Sequence, residues 1–308
     1  MSLALLFPGQ GSQHVGMGRD LAKAFSEAAE VFEEADEVLG FSLSRLAWEG
    51  DEARLTLTKN AQPALLTHSI AALATIRSRM GPVSFAAGHS LGEYSALVSA
   101  GVISFADAVQ AVRRRGELMF ASGEERPGAM AALLGLDDVR VDEVCARASR
   151  AAGAVCVPAN YNAPGQVVIS GDLDGIETGI EMARAAGARR AIQLNVSGAF
   201  HSPLMAPAQE GLAVHLEGVT FSDPTYPIAS NVTADLVRTG ADARTLLVRQ
   251  LTSPVRWSAS ISAMVEAGVT RYVEVGPGAV LCGLNRRNAK GTPCTSVSGP
   301  ADVDEFDE

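Results

Sequence analysis

Short apolar runs alternate with longer amphipathic stretches along the chain, and this alternation is typical of an α/β protein. Runs of four to six residues rich in Val, Ile, Leu and Ala predict strands, whereas apolar residues three or four positions apart predict helices. The predicted strands are Leu3–Phe7, Val83–Ala87, Ala129–Leu134, Val167–Ser170, Ala191–Val196, Tyr226–Ala229 and Arg271–Glu274. The predicted helices are Met17–Ala35, Pro63–Arg79, Glu93–Ala100, Phe105–Ala121, Val141–Ala152, Leu173–Ala186, Ala206–Leu216, Ala241–Gln250 and Pro254–Ala267.

The stretch 124–197 has a pattern of its own. It opens on the polar sequence EERPG at 124–128, which is typical of an exposed connection, and continues as strand, helix, strand, helix, strand. This order resembles a small ferredoxin-like unit inserted into a larger one. We therefore predict a large α/β subdomain formed by residues 1–123 and 198–308, and a small ferredoxin-like subdomain formed by 124–197. The acidic end, 302–308, is expected to fray.

Composition narrows the class of protein. The chain has 308 residues, of which 47% are hydrophobic and 19% are charged, so it can form a packed core. Its net charge of −10 argues against a nucleic-acid-binding protein, which would carry a basic surface. No apolar run approaches the ~18 residues that a membrane span needs. The opening sequence lacks the basic region of a signal peptide, so we expect a cytoplasmic protein.

Two further patterns are interpreted conservatively. The four cysteines, Cys145, Cys156, Cys282 and Cys294, show no CxxC spacing, and we interpret them as free thiols rather than as disulfides or metal ligands. The sequences NVS at 195–197 and NVT at 231–233 match the N-glycosylation pattern. In a protein expected to be cytoplasmic, we interpret both matches as coincidence.

The strongest chemical pattern is GHSLG at 88–92, which fits G-x-S-x-G. It follows a predicted strand and precedes a predicted helix, which is the context that a nucleophile elbow requires. Ser90 is therefore the candidate nucleophile, and the large subdomain is predicted to be α/β-hydrolase-like with a parallel-rich sheet. The alternative is a glycine-rich turn that carries an ordinary serine.

A serine nucleophile needs a general base, and the chain offers five histidines. His201 is the favoured base because it follows the predicted strand 191–196 in a loop and comes after the serine in the chain, as in hydrolase-like sheets. The other four are less suitable, because His14 lies in a glycine-rich loop, His68 and His215 lie in helical patterns, and His89 lies within the elbow itself. No Asp or Glu stands out as the orienting acid, and a backbone carbonyl could take its place.

One arginine occupies an apolar helix face. In the predicted helix 105–121, Arg115 falls on the stripe formed by Ala108, Ala111, Val112 and Met119. A buried cation is costly unless it meets an anion, and a guanidinium suits a carboxylate. Two interpretations stay open, namely an internal salt bridge and a clamp for a substrate carboxylate. The short distance along the chain from the elbow favours the clamp.

These residues belong to a larger set of motifs that resembles the malonyl-CoA:acyl-carrier-protein transacylases of fatty-acid synthesis. The resemblance covers the whole chain apart from the acidic tail. The matching motifs, in order, are FPGQGSQ at 7–13, GHSLGEYSALVSAG at 88–101, RGELM at 115–119, GAMAA at 128–132, NYNAPGQVV at 160–168, FHSPLM at 200–205, QLTSPVRW at 250–257 and EVGPG at 274–278.

The resemblance implies a role for each site residue. Ser90 would be the acylated nucleophile, His201 its general base, and the backbone carbonyl of Gln250 would orient the His201 ring. Arg115 would bind the malonyl carboxylate. The remaining implied site residues are the oxyanion donors Gln10 and Leu91, the selectivity residue Phe200, which would crowd a methyl-branched substrate, and Asn160 from the small subdomain.

The resemblance also implies partners. These are malonyl-CoA and a holo acyl carrier protein, with no nucleic acid and no membrane, and the chain is expected to be a monomer. Docking of an acidic carrier would need a basic face. The candidate cations are Arg189, Arg190, Arg286, Arg287 and Lys290. No cofactor or metal is expected, because the chain lacks G-x-G-x-x-G and G-x-x-x-x-G-K-[ST] patterns.

Three alternatives remain beside this interpretation. A free-standing acyltransferase of a polyketide synthase would share the same motifs. A serine esterase or thioesterase would share the elbow, but Arg115 and the full motif set argue against it. A non-catalytic binding protein on the same scaffold is disfavoured because Ser90, His201 and Gln250 are all present.

Overall fold

A computed structural model describes residues 2–196 and 198–306. Its strands are β1 (Leu3–Phe7), β2 (Val83–Gly88), β3 (Gly128–Leu134), β4 (Cys156–Ala163), β5 (Gln166–Asp172), β6 (Arg190–Gln193), β7 (Ile228–Ala229), β8 (Leu236–Val237), β9 (Arg271–Val275) and β10 (Cys294–Val297). Its α-helices are α1 (Arg19–Ala24), α2 (Ser26–Leu39), α3 (Leu43–Glu49), α4 (Glu52–Thr56), α5 (Thr58–Ile76), α6 (Gly92–Ser99), α7 (Phe105–Glu125), α8 (Asp138–Ala152), α9 (Leu173–Ala185), α10 (Ala206–Leu216), α11 (Gly240–Arg249), α12 (Trp257–Glu266), α13 (Val280–Asn288) and α14 (Pro300–Asp304). Short 3₁₀ turns span Pro203–Met205 and Gln250–Thr252.

The larger sheet has six strands in the order β10-β9-β1-β2-β7-β8. All neighbours run parallel except β7 and β8, so the predicted parallel-rich α/β sheet is confirmed. The central strand β1 is apolar on both faces because helices cover both sides of the sheet. Phe7, at the end of β1, pairs with Gly88 at the end of β2, which brings the loops that follow both strands together.

The smaller sheet is antiparallel, with strands in the order β4-β5-β3-β6, and helices α8 and α9 pack on it. The sequence pattern missed β4, which contains Pro158 and two asparagines that are unfavourable in strands. Pro158 is tolerated because β4 is an edge strand. All four strands fall within the predicted small subdomain, whose boundaries at 124 and 197 stay a prediction. Residue 197 lies outside the described residues.

A backbone bridge joins the two sheets. The Val255 N–H donates to the Ala159 carbonyl over 2.8 Å, and the Tyr161 N–H donates to the Val255 carbonyl over 2.9 Å, so that β4 pairs with the segment before α12. Asn288 at the end of α13 adds a side-chain hydrogen bond of 2.8 Å to the Asn162 carbonyl. The small sheet is therefore fixed to the large one beside the loops that follow β1 and β2.

Two expectations from the sequence are wrong. Cys282 and Cys294 form a disulfide, because β10 returns parallel to β9 and places its first residue 5.4 Å, Cα to Cα, from the first turn of α13. Cys145 and Cys156 are free and buried, as expected. The acidic end does not fray within the described residues. Its helix α14 packs on the core through buried Val303, and Phe306 is buried as well.

Candidate active site

The turn between β2 and α6 has the geometry of a nucleophile elbow. Ser90 sits at its tip with φ of 51°, a left-handed conformation that costs a non-glycine residue about 1–3 kcal/mol. The flanking glycines make the turn possible, since a Cβ on Gly88 would lie 1.8 Å from the Gly92 backbone and one on Gly92 would lie 2.1 Å from the Phe7 carbonyl oxygen. The interpretation of this segment as an ordinary glycine-rich turn is therefore less consistent with the structure.

His201 reaches the nucleophile from the loop before the 3₁₀ turn Pro203–Met205. Its Nε2 lies 2.8 Å from Ser90 Oγ, and its Nδ1 lies 2.9 Å from the backbone carbonyl of Gln250. Because a carbonyl only accepts, Nδ1 carries the proton and Nε2 is free to accept the serine proton. Burial, followed by the positive charge of Arg115, lowers the pKa of His201 to about 3, so the ring is neutral at neutral pH.

Arg115 lies on α7 with only 1% of its surface exposed. Its Nη2 donates to Ser90 Oγ over 3.1 Å and to the Gln250 side-chain oxygen over 2.9 Å, and its Nη1 donates to the Gln62 side-chain oxygen over 2.7 Å. Burial lowers its pKa, and the nearby Tyr94 and Glu93 oppose that shift. Within residues 2–196 and 198–306, no Asp or Glu forms an ion pair with Arg115. The direct internal salt bridge, one of the two open interpretations, is therefore not formed.

A cavity of about 300 Å³ opens above the serine. Seven of the eight predicted site residues line it: Gln10, Ser90, Leu91, Arg115, Asn160, Phe200 and His201. The eighth, Gln250, is fully buried beneath them. Leu91 directly precedes α6, so its backbone N–H lies at a helix N-terminus, where partial positive charge favours an oxyanion. The small sheet contributes Met130 and Asn160 to the opposite wall.

The other histidines do not reach Ser90. His89 Nε2 lies 2.8 Å from the Asn162 side-chain oxygen, and its ring packs near Trp257. His68 is buried in α5, and its Nε2 lies 2.8 Å from the Ser298 carbonyl. His14 is exposed in its glycine-rich loop, and His215 lies on α10. The choice of His201 among the five therefore agrees with the geometry.

Three buried polar residues at the site were missed from the sequence. Gln62 binds Arg115 and in turn donates to Thr58 Oγ1 over 2.9 Å. Asn231 accepts from the Ser90 N–H over 2.7 Å, although the only sequence signal at this position is a glycosylation pattern that we interpret as coincidence. Glu93, in the first turn of α6, accepts from the Gln250 side chain over 2.5 Å. Only Glu93 has a visible signal in the sequence, since it directly follows the elbow and lies within the motif at 88–101.

The described residues contain neither a membrane-spanning helix nor a cluster of metal-binding side chains. None of their helices has both the length and the hydropathy needed to cross a membrane. Within the same ranges, no three or more His, Cys, Asp or Glu side chains are grouped so that they could hold a metal ion.

Comparison with known proteins places this geometry in a family. Residues 4–299 match the family model described as "Acyl transferase domain". The chain belongs to the acyl transferase domain family. It is therefore an acyltransferase, and the serine, histidine and arginine described above lie in the matched region.

The sequence matches individual relatives over nearly their full lengths. The chain is 47% identical to the malonyl CoA-acyl carrier protein transacylase of Bacillus subtilis, covering 98% of this chain and 95% of that protein. It is 45% identical to the enzyme of the same name from Escherichia coli K12, over 97% and 96%.

Solved structures of acyltransferases also superimpose on this chain over nearly their full lengths. An acyl carrier protein S-malonyltransferase from Vibrio cholerae superimposes with a TM-score of 0.95 at 41% identity, covering 99% of both chains. A malonyl-transacylase solved in complex with its type II PKS acyl-carrier protein superimposes with a TM-score of 0.94 at 43% identity, over 98% of both chains. The two-sheet architecture is thus that of solved acyltransferases.

Proposed function

We propose that this acyltransferase moves a malonyl group from malonyl-CoA to the phosphopantetheine thiol of an acyl carrier protein, through a malonyl ester on Ser90. The observation that carries the proposal is the position of Arg115, a buried cation whose Nη2 lies 3.1 Å from the nucleophilic oxygen and which has no carboxylate in an ion pair among the described residues. A substrate with a carboxylate two bonds beyond its reacting carbonyl would supply that partner.

In the first half-reaction, Ser90 Oγ attacks the thioester carbonyl while His201 Nε2 takes the serine proton. The backbone N–H groups of Gln10 and Leu91 would donate to the oxyanion of the tetrahedral intermediate. The carbon–sulfur bond then breaks, and the coenzyme A sulfur takes the proton from His201. Arg115 holds the malonyl carboxylate throughout.

In the second half-reaction, the carrier's thiol gives its proton to His201 and attacks the malonyl ester. The carbon–oxygen bond breaks, and the proton returns to Ser90 Oγ. Because coenzyme A leaves before the carrier's thiol attacks the acyl-serine, the enzyme would follow a ping-pong scheme. Because Ser90 supplies the nucleophile and the substrate already carries an activated thioester, we propose no cofactor for this chemistry.

Phe200 is proposed to restrict the acyl group. It is buried beside His201 and lines the cavity. A methyl branch on the malonyl carbon would have to share this space, so we propose that malonyl-CoA is preferred over methylmalonyl-CoA. Competition between the two thioesters for Ser90, followed by mass, tests this preference.

The carrier is proposed to dock near the β4–β5 turn. Arg189 and Arg190 are exposed beside it, where the Gly135 N–H donates to the Gly165 carbonyl of the turn. Arg286 and Lys290 are exposed on and after α13, and Arg287 of the same helix donates to the Gln166 side chain beside the turn. Reversal of the four exposed charges should raise the carrier KM and leave acylation by malonyl-CoA unchanged.

The deciding experiment follows the intact mass of the protein. Brief mixing with malonyl-CoA should add one malonyl group to the wild type and none to Ser90→Ala, and added holo carrier protein should remove it. Release of free malonate without carrier transfer would indicate a thioesterase. Absence of both acylation and turnover in the wild type would contradict the proposal.

A carrier from a type II polyketide pathway is the second candidate partner, since one solved relative is bound to such a carrier. The same assay with carriers from fatty-acid and type II polyketide synthesis separates the two pathways. The carrier with the higher kcat/KM identifies the pathway that this enzyme serves.

A further inference from the structure

Two buried side-chain amides hold the backbone of the nucleophile from opposite sides. Asn231 accepts from the Ser90 N–H over 2.7 Å and donates to the Gly88 carbonyl over 2.7 Å. Gln250 Nε2 donates to the Ser90 carbonyl over 2.9 Å. Both amides belong to residues with no exposed surface. Since Ser90 adopts a strained φ of 51°, these bonds hold it in a conformation that it would not favour alone.

A single carboxyl group contacts both of the residues that carry these amides. Glu93 Oε2 accepts from Gln250 Nε2 over 2.5 Å, and Glu93 Oε1 accepts from the Asn231 backbone N–H over 3.4 Å. Glu93 lies in the first turn of α6, three residues after the nucleophile, and is buried. We call Glu93, Asn231 and Gln250 the elbow brace.

The brace fixes which way the Gln250 amide faces. A guanidinium only donates, so Arg115 requires the amide oxygen, and the distance from Nη2 to Oε1 is 2.9 Å. The Ser90 carbonyl only accepts, and so does the Glu93 carboxylate, so both require the amide nitrogen. If the Gln250 amide were rotated by about 180°, its N–H groups would face the N–H groups of Arg115, and its oxygen would face the Glu93 carboxylate.

We propose that Glu93 is a positioning residue that acts through the Gln250 side chain to align both the Arg115 guanidinium and the Ser90 backbone for acyl transfer. The backbone carbonyl of the same Gln250 orients His201 over 2.9 Å, so one residue is shared by the nucleophile, the base and the clamp. This inference rests on the proposed malonyl transfer. It adds to that proposal a residue that would never touch the substrate.

Burial of the Glu93 carboxyl is unfavourable for its charged form. Burial raises the pKa of Glu93 to about 7, although Gln250 and Asn231 oppose the shift through their hydrogen bonds. Removing the carboxyl leaves the buried donors of Gln250 and Asn231 without this acceptor, so a loss of stability is expected whatever role Glu93 has. An alignment role predicts in addition a lower malonyl-to-acetyl ratio, whereas a purely structural role predicts that this ratio stays unchanged.

The test compares Glu93→Met with Glu93→Gln. The Met variant keeps the side-chain volume and removes the acceptors, so single-turnover acylation of Ser90 by malonyl-CoA should fall on the order of 10²-fold. Because Arg115 also loses alignment, the ratio of malonyl to acetyl transfer should fall as well. The Gln variant keeps one acceptor for Gln250 and should stay within roughly tenfold of the wild-type rate. The thermal midpoint of Glu93→Gln should stay near that of the wild type, whereas that of Glu93→Met should fall by several degrees because buried donors lose their acceptor.

Glu274→Met is the matched control. Glu274 is also fully buried, and burial raises its pKa to about 7, but its carboxyl accepts from the Leu281 and Cys282 N–H groups at the start of α13. Its loss should lower the thermal midpoint and leave the malonyl-to-acetyl ratio unchanged. Should Glu93→Met not fold, Gln250→Met removes the Glu93–Gln250 bond together with the side-chain bonds of Gln250 to Arg115 and Ser90. It keeps the backbone carbonyl that orients His201 and should show a loss of rate and ratio at least as large.

The outcomes separate this inference from the function on which it rests. A wild-type protein that malonyl-CoA does not acylate would contradict the proposed function. If the wild type is acylated, two results would contradict the role of Glu93. One is a wild-type acylation rate and malonyl-to-acetyl ratio in Glu93→Met, and the other is an impairment of Glu93→Gln as large as that of Glu93→Met. Where Gln250→Met serves instead, wild-type rate and ratio in that variant would contradict this role as well.

Discussion

The cavity over Ser90 has one wall from the six-stranded sheet with its helices and another from the antiparallel sheet. On the wall formed by the six-stranded sheet and its helices, Ser90, His201 and Arg115 are each held by more than one hydrogen bond. Arg115, for example, donates to three side-chain acceptors. On the second wall, Met130 and Asn160 line the space without a hydrogen bond to the serine or the histidine. The six-stranded sheet and its helices thus carry the groups that are proposed to react, and the antiparallel sheet shapes the cavity.

This division explains why the two sheets are fixed to each other at the backbone. Side chains that only shape a cavity must still stay at the right distance from the reacting groups. The paired hydrogen bonds between β4 and Val255 achieve this beside Asn160 itself. Mutations on the two walls should therefore differ strongly in effect.

The largest effect is expected for His201→Ala. Removal of the general base leaves Ser90 without an acceptor for its proton, so acylation by malonyl-CoA should fall roughly 10²- to 10⁴-fold. Single-turnover mass measurements give this rate directly. His215→Ala, which changes a histidine on α10, is the control and should keep full activity. If His201→Ala were acylated at a rate within a few-fold of the wild-type rate, His201 would not be the general base.

Arg115→Ala should have the next largest effect. An unpaired malonyl carboxylate in the buried pocket would cost about 1–3 kcal/mol, which slows malonyl transfer roughly 10- to 10²-fold. Acetyl transfer should gain relative to malonyl transfer, because acetyl carries no carboxylate. The control is Arg114→Ala, since Arg114 is the half-exposed neighbour on the same helix. An unchanged malonyl-to-acetyl ratio in Arg115→Ala would refute the clamp.

A smaller effect is expected on the second wall. Asn160→Ala changes the shape of the cavity but removes no hydrogen bond to Ser90 or His201, so kcat/KM should stay within about tenfold of the wild type. Steady-state kinetics with malonyl-CoA and carrier provide the comparison. If Asn160→Ala were as impaired as His201→Ala, the antiparallel sheet would also supply chemistry, and the division between the walls would be wrong.

No effect on activity is expected for His68→Gln, which changes only the pH dependence of stability. Burial lowers the pKa of His68 to about 4, so between pH 6.5 and 4 the unfolded chain binds the proton more readily than the folded one. The free energy of unfolding should therefore fall on acidification by about 1.4 kcal/mol per pH unit from this residue.

The His68→Gln variant should lose this component and show a shallower slope in urea unfolding across that range. His201 contributes with the same sign, since its pKa is lowered to about 3. Glu93 and Glu274 have pKa values raised to about 7 and contribute with the opposite sign between pH 4.5 and 7. An identical slope in wild type and variant would show that His68 does not titrate differently on folding.

The sequence indicated that Ser90, His201 and Arg115 lie at one site, but it indicated less well which residues contact them. Ser90 and His201 follow strands, where spacing and turn residues carry a readable signal, and Arg115 stands out as a cation on an apolar helix face. The position of Gln250 came only from the family resemblance, because a backbone carbonyl leaves no mark in the sequence. Its geometry in the structure matches that expectation.

The missed features have physical reasons. Gln62 and Asn231 are buried by tertiary contacts that no local pattern encodes, since polar residues are ordinarily expected at the surface. The strand β4 carries Pro158, which local propensity counts against a strand. The cysteine pairing depends on β10 returning beside β9, a contact set by sheet topology rather than by spacing.

The position of Asn231 has a consequence for producing this enzyme. Its side-chain nitrogen is fully buried and donates to the Gly88 carbonyl, yet NVT at 231–233 is a glycan acceptor sequence. In a host that exports the chain through a glycosylating secretory route, a sugar attached before folding would occupy the nitrogen that the elbow needs. Secretion in yeast or animal cells should therefore give inactive glycoprotein, and removing the sequon should be done at Thr233 rather than at Asn231.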